Sequence, residues 1–355
     1  MPTANKTTTV SLKNGWDPLE EVIVGRAENA CFPTWDESLK YVVPERHWNL
    51  FKANAGKPFP ENIVSGAISN LDALEKTLQR HGVKVTRPEV QYHARKFSTP
   101  YWSEVNGMYN AMPRDVALII GDMIIEAPMA WRSRYHEISG YRSIFYQYFK
   151  KGTKWVCPPK PQLEDSLLKR DIPLSQTDSK FISVLENDEI LFDAADFLAC
   201  DDKIFYFLSH VTTPLGVDWL KSIVGERYTF VELPCSDPHR MHIDTTYTPI
   251  GPGRMIYNPD RVEGPPKELN DWKLYPAPLP NTPDNTPLFM SSKWLSMNIL
   301  MIDQKTAIVA EHEENLIRAL ENWGIEPVTC PFLDFYALGG SIHCATLDTR
   351  RAHNN

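Results

Sequence analysis

One pattern constrains the fold of this chain more than any other: an amphipathic helix, a glycine or polar turn, a short strand, then a proline. The clearest instance is 74–88 (LEKTLQRHGVKVTRP), and 316–331 (LIRALENWGIEPVTCP) repeats it closely. Segments 148–158 (YFKKGTKWVCP) and 219–234 (WLKSIVGERYTFVELP) are two more, and 269–278 (LNDWKLYPAP) is a shorter fifth. In each unit a helical apolar period gives way to a strand, with glycine and proline as punctuation. The 29 prolines therefore mark the ends of apolar runs rather than disorder.

Between the units lie paired strand signals with tight turns. They fall at 116–125 around Gly121-Asp122, at 203–208, at 246–257 around Gly251-Pro252-Gly253, and at 295–309 around Asp303-Gln304. Uneven spacing and long insertions exclude an open solenoid of equal repeats. Five strand-rich α/β modules predict instead a closed ring, with a doubly wound α/β sheet as the competing architecture. No composition break or Gly/Ser linker divides the chain, so 1–355 reads as one domain, with a polar, threonine-rich 1–13 expected to be flexible.

With 42% hydrophobic and 23% charged residues, the 355-residue chain can bury one large core or two moderate ones. It has no apolar run of 18 residues and no basic-then-apolar leader, so the reading is a cytoplasmic protein that neither crosses a membrane nor is secreted. A formal charge of −8 argues against a nucleic-acid partner and weakly favours cationic substrates. The six cysteines are scattered, without the close pairs of zinc or dithiol sites, which suits a reducing compartment. Taken singly, each reads as a small buried hydrophobe.

Cys344 is the exception. It follows two glycines in 337–346 (ALGGSIHCAT), where the backbone can approach a ligand closely and a thiol stands at the end of a loop entering a strand. A nucleophilic cysteine needs a nearby base, and the base needs a group to orient it. The best base is His242 in 241–244 (MHID), where alternation along an extended segment would put His242 and Asp244 on one face. The segment 192–197 (FDAADF) sets an acidic pair, Asp193 and Asp196, inside a strand-like apolar run, and buried carboxylates are rare unless paired.

These residues, with 16–25 (WDPLEEVIVG), 112–115 (MPRD), 126–134 (EAPMAWRSR), 258–261 (NPDR) and 290–294 (MSSKW), resemble the amidinotransferases along nearly the whole chain. That family includes the glycine and arginine:lysine enzymes, the inosamine-phosphate enzymes and those of guanidinium-toxin pathways, so secondary-metabolite or toxin biosynthesis is within its range. The resemblance implies the five-module, pseudo-symmetric α/β propeller of guanidine-modifying enzymes. It also implies Cys344 as nucleophile, His242 as general acid and base, and Asp193 as the residue orienting His242. Asp115, Asp244, Arg261, Ser291 and Ser292 match positions that hold the amino-acid substrate. Asp196 reads as structural.

The implied partners are arginine and an amine acceptor, handled in a ping-pong reaction through an amidino-cysteine with release of ornithine. No metal or organic cofactor is implied, and a homodimer is the family expectation. The loop 236–241 (SDPHRM) is where the resemblance places acceptor discrimination. Met241 matches glycine- and lysine-type enzymes, whereas His239 stands where glycine-type enzymes carry asparagine. The expected acceptor is a longer primary amine, lysine first or a pathway intermediate second, with glycine secondary. A hydrolase of the same fold, such as an arginine deiminase, has similar needs, but the full-length similarity favours transfer. A noncatalytic arginine-binding homologue would be expected to lack one of Cys344, His242 and Asp193. The chain leaves the family pattern after Arg350-Arg351, making 350–355 a short atypical tail.

Overall fold

The computed structural model describes residues 9–169, 172 and 181–353. Among these residues, five three-stranded sheets share one plan: two antiparallel strands, then a third that joins the edge in parallel after a crossover. In chain order the strands are β1 (Leu19–Val24), β2 (Lys84–Thr86), a two-stranded ribbon of β3 (Phe97–Ser98) and β4 (Ser103–Glu104), β5 (Ala117–Ile120), β6 (Met123–Glu126), β7 (Lys154–Val156), β8 (Phe197–Cys200), β9 (Lys203–Tyr206) and β10 (Thr229–Glu232). They continue with β11 (Tyr247–Gly251), β12 (Arg254–Tyr257), β13 (Lys273–Pro276), β14 (Leu300–Asp303), β15 (Thr306–Ala310), β16 (Glu326–Cys330) and β17 (Thr346–Arg351). Strands β5-β6-β7, β8-β9-β10, β11-β12-β13 and β14-β15-β16 are consecutive modules. The fifth is assembled from both ends of the chain, β17 pairing antiparallel with β1 and β1 parallel with β2.

The first strand of every module, β5, β8, β11, β14 and β17, contributes to the wall of one central cavity of about 50 Å³. The modules thus share an axis, in agreement with the five-module reading, and a doubly wound sheet is set aside.

The helices are α1 (Glu45–Asn54), α2 (Glu61–Arg80), the single turn α3 (Pro113–Val116), α4 (Arg142–Lys150), α5 (Pro214–Val224) and α6 (Glu314–Asn322). In α2 the buried residues Ala67, Leu71, Leu74 and Leu78 form one apolar stripe that packs with Val22 and Val24 of β1. Leu316 and Leu320 of α6 pack with Val309 of β15 in the same way. Gly82 and Gly324, at φ 79° and 78°, supply the left-handed turns from these helices toward their strands. Among the described residues no helix is long and apolar enough to cross a membrane.

Several local expectations need correction. Within 1–13, Val10 and Leu12 are buried, Ser11 bridges to Arg350 and Leu12 to Gly121; residues 1–8 lie outside the described residues. Of the 350–355 tail, Arg351 is buried, donating to Asp348 Oδ2 at 2.8 Å and to the Met301 carbonyl at 2.7 Å, while His353 bonds Ser11 and Asp17. The segment carrying His242 and Asp244 is not extended: His242 has φ 58° and leads into a 3-10 turn, Ile243–Thr245. Likewise Asp193 precedes and Asp196 closes a 3-10 turn, Ala194–Asp196, where a strand was expected. In both places the chain must bend at the end of the ring axis before the module's first strand begins.

Candidate active site

That bend recurs in every module and explains how residues far apart in sequence meet. Asp115 ends up on α3 just before β5, and Asp193 precedes the turn into β8. His242 and Asp244 precede β11, Ser291 and Ser292 precede the 3-10 helix Lys293–Met297 that leads to β14, and Cys344 stands two residues before β17. Pseudo-symmetry therefore delivers one short polar segment from each module to the same end of the ring.

These segments surround a cavity of about 530 Å³. Asp115, His239, Met241, His242, Asp244, Arg261, Ser291, Ser292 and Cys344 all line it, and Asp193 stands directly behind His242. All ten residues expected from the sequence are thus brought together.

The His242 ring lies between carboxylates. Its Nε2 is 3.0 Å from Asp193 Oδ2, and its Nδ1 is 3.7 Å from Asp115 Oδ1. Burial disfavours the imidazolium, but Asp115 and Asp193 outweigh it and hold the His242 pKa well above the ordinary histidine range. Asp196 is no bystander. Its Oδ1 accepts the His242 backbone N–H at 2.9 Å, and its Oδ2 accepts the Ser209 and Thr212 hydroxyls, each at 2.5 Å. Burial still pushes the Asp196 carboxyl up to about 6.

Arg134, which sequence reasoning left without a role, is buried in the wall of the cavity. Its guanidinium reaches Asp115 at 3.0 Å, Asp193 at 3.4 Å and Glu137 at 2.8 Å. Asp115, Asp193 and His242 are close enough together to suggest metal ligands, but the two carboxylates already face Arg134 and the imidazole. The sequence signal was the 126–134 segment itself, one of the stretches that carry the family resemblance.

Cys344 is buried, and its backbone N–H donates to Asn298 Oδ1 at 2.9 Å. Its Sγ lies 3.7 Å from Asp244 Oδ2. Burial, with the nearby Asp244 charge, pushes the thiol up to about 12. A Cβ on Gly340 would come within 2.9 Å of the Cys344 Cβ and 2.6 Å of the Met112 sulfur, so the second glycine is what allows the thiol loop to pack there. Asp115 Oδ1 and Asp244 Oδ1 are buried and accept no hydrogen bond from the described residues. Such oxygens are costly unless a donor reaches them.

At the other end of the cavity Arg261 is held by Asp237 at 2.9 Å and donates to Thr245 Oγ1 at 2.7 Å and Ser292 Oγ at 3.3 Å. The cavity therefore presents carboxylate oxygens without hydrogen bonds near the thiol and a guanidinium, paired with Asp237, beside Ser292. His239 is exposed at the mouth, its Nδ1 3.0 Å from the Tyr41 carbonyl.

The five modules thus gather a thiol, an imidazole and carboxylates around one cavity. Comparison narrows this. The chain is 41% identical over 346 residues to the L-arginine:L-lysine amidinotransferase of Pseudomonas savastanoi pv. phaseolicola, covering 98% of this chain and 95% of that one. It is 39% identical over 363 residues to the mitochondrial glycine amidinotransferase of Danio rerio, covering 99% of this chain and 84% of that one. Among solved structures it superposes with a TM-score of 0.94, at 39% identity and 98% coverage of both chains, on an amidinotransferase of the saxitoxin biosynthetic pathway from Microseira wollei. No family model matches the chain. The chain belongs to the amidinotransferase family and is an enzyme that transfers amidino groups.

Proposed function

We propose that this enzyme takes the amidino group from L-arginine and passes it to a primary amine through a covalent bond to Cys344. The observation that carries this reading is a pair of buried oxygens that accept no hydrogen bond among the described residues, Asp115 Oδ1 and Asp244 Oδ1, on residues lining the cavity that holds Cys344 and His242. A planar guanidinium offers N–H donors to both oxygens and leaves its carbon to the sulfur. Arg261, with Ser291 and Ser292, would receive the amino-acid carboxylate at the far end.

A cation seated between Asp115 and Asp244 offsets the negative field that opposes ionisation of the Cys344 thiol, whose proton passes to solvent as arginine binds, leaving a thiolate beside the His242 imidazolium. The thiolate forms a bond to the guanidinium carbon. His242, already an imidazolium, gives its proton to the departing nitrogen as the carbon–nitrogen bond breaks, and ornithine leaves. Asp193 orients the ring. In the second half-reaction His242 takes a proton from the acceptor amine, whose nitrogen bonds to the same carbon and releases the sulfur. The acceptor in this reading is a longer primary amine, lysine before glycine, because His239 occupies the cavity mouth and the cavity has room for an extended chain.

The test is mass spectrometry after incubation with arginine. Arginine alone should leave one amidino mass on the Cys344 peptide, and an amine panel should yield ornithine with an amidinated acceptor. An adduct on another cysteine, or citrulline as the main product, would overturn the reading.

A further inference from the structure

Two cavities meet at one hydrogen bond. Asp244 lines the cavity that holds the thiol, whereas His343, beside Cys344 in the chain, lines the central cavity along the ring axis. Their side chains join at 2.7 Å, His343 Nδ1 to Asp244 Oδ2. Asp244 Oδ2 is thereby engaged from behind, and Oδ1, buried and unpartnered, is the oxygen left for a ligand.

His343 is itself held firmly. Its backbone N–H donates to the Asn298 carbonyl at 3.2 Å, while its own carbonyl accepts from Arg114 Nε at 2.9 Å and Thr346 Oγ1 at 2.9 Å. Arg114 neighbours Asp115 on α3, so the segment that supplies one cavity carboxylate also braces the residue that holds the other. Burial, and then Arg114, push the His343 pKa below the ordinary histidine range, which leaves a neutral ring free to carry its proton on Nδ1. The same contact holds Asp244 below the usual carboxylate range despite its burial.

The geometry points to His343 as a positioning residue: by donating Nδ1–H to Asp244 Oδ2, it turns Asp244 Oδ1 toward the guanidinium and sets how tightly the cationic head of the substrate is held. This rests on the guanidinium reading above. It assigns His343 an effect on one end of the substrate and none on the other, since Arg261 and Ser292 lie in a separate hydrogen-bond cluster.

The experiment is calorimetric binding of L-arginine and of L-ornithine to Cys344→Ser protein, which cannot turn over, with and without a change at His343. Ornithine keeps the amino-acid end and lacks the guanidinium. His343→Leu removes the donor and should weaken arginine by about ten- to hundredfold, the range for a lost hydrogen bond to a charged group, while leaving ornithine within about threefold of the parent. His343→Asn, whose amide can place an N–H near the Nδ1 position, should recover most of the arginine affinity. Equal weakening of both ligands, or an arginine affinity that His343→Leu does not change, would overturn the assignment. Failure of the Cys344→Ser parent itself to bind arginine would remove the guanidinium reading and this proposal with it, and it shows before any change at His343.

Discussion

The backbone N–H of His242 donates to Asp196 Oδ1 at 2.9 Å from a left-handed conformation, φ 58°, that few side chains adopt. Such a conformation costs about 1–3 kcal/mol and persists only where the surroundings enforce it. Asp196 supplies the enforcement, braced in turn by Ser209 and Thr212. Asp196→Ala should therefore lower kcat by about tenfold or more with little change in KM for arginine, since it releases the His242 backbone rather than the substrate contacts. Asp196→Asn keeps an oxygen for the N–H and should retain most activity. Steady-state kinetics on the two variants checks the contrast.

The side-chain partner of the same histidine should behave differently. Asp193→Asn preserves shape but no longer stabilises the imidazolium at 3.0 Å. Arginine binding should persist while kcat falls by about 10²–10⁴-fold. Rapid-quench measurement of the first half-reaction separates the two quantities, and wild-type turnover would move the orienting role elsewhere.

Burial and the Asp244 charge hold the Cys344 thiol up at about 12. Asp244→Asn removes the charge 3.7 Å from the sulfur, so the thiol should titrate at a lower pH than in the wild type even as arginine binding weakens. Ultraviolet thiolate absorbance, taken as a difference from Cys344→Ala, reads this directly. The stability sign follows from the same shift. A folded pKa of about 12 against an ordinary 9.0 contributes stability that is full below 9.0 and is lost as pH rises toward 12. Urea unfolding across that window should show wild type losing more than Cys344→Ala.

The acceptor prediction concerns His239. Its Nδ1 contact to the Tyr41 carbonyl ties the loop before His242 to another segment of the cavity wall. His239→Asn should raise kcat/KM for glycine relative to lysine at saturating arginine. A wild-type enzyme that clearly prefers glycine would show that His239 does not set the choice.

Much of this was legible in the sequence where the signals are local. Four helix–turn–strand units lie within about twenty residues each, so periodicity and punctuation reveal them; the fifth, 269–278, keeps its strand but follows a 3-10 turn, Lys267–Leu269, instead of an α-helix, and Cys344 is marked by its glycines. The conformation of His242 was misread because it depends on Asp196, which the fold, not the neighbouring sequence, brings to its backbone. Arg134 and His343 escaped for a related reason. Arg134 reaches Asp115 and Asp193, and His343 reaches Asp244, carboxylates distant in the chain that only the fold brings to them. Alternation suggested a shared face for His242 and Asp244; a 3-10 turn brings both to the cavity by another route.

The pairing of β1 with β17 gives the enzyme a chronology. Four modules have all their strands consecutive and can form as the polypeptide leaves the ribosome, whereas the fifth must wait until β17 emerges to meet a strand made hundreds of residues earlier. Cys344 sits two residues before that last strand. A nascent chain thus carries Asp115, Asp193 and His242 before Cys344, and the cavity that holds the cysteine is complete only when β17 pairs with β1.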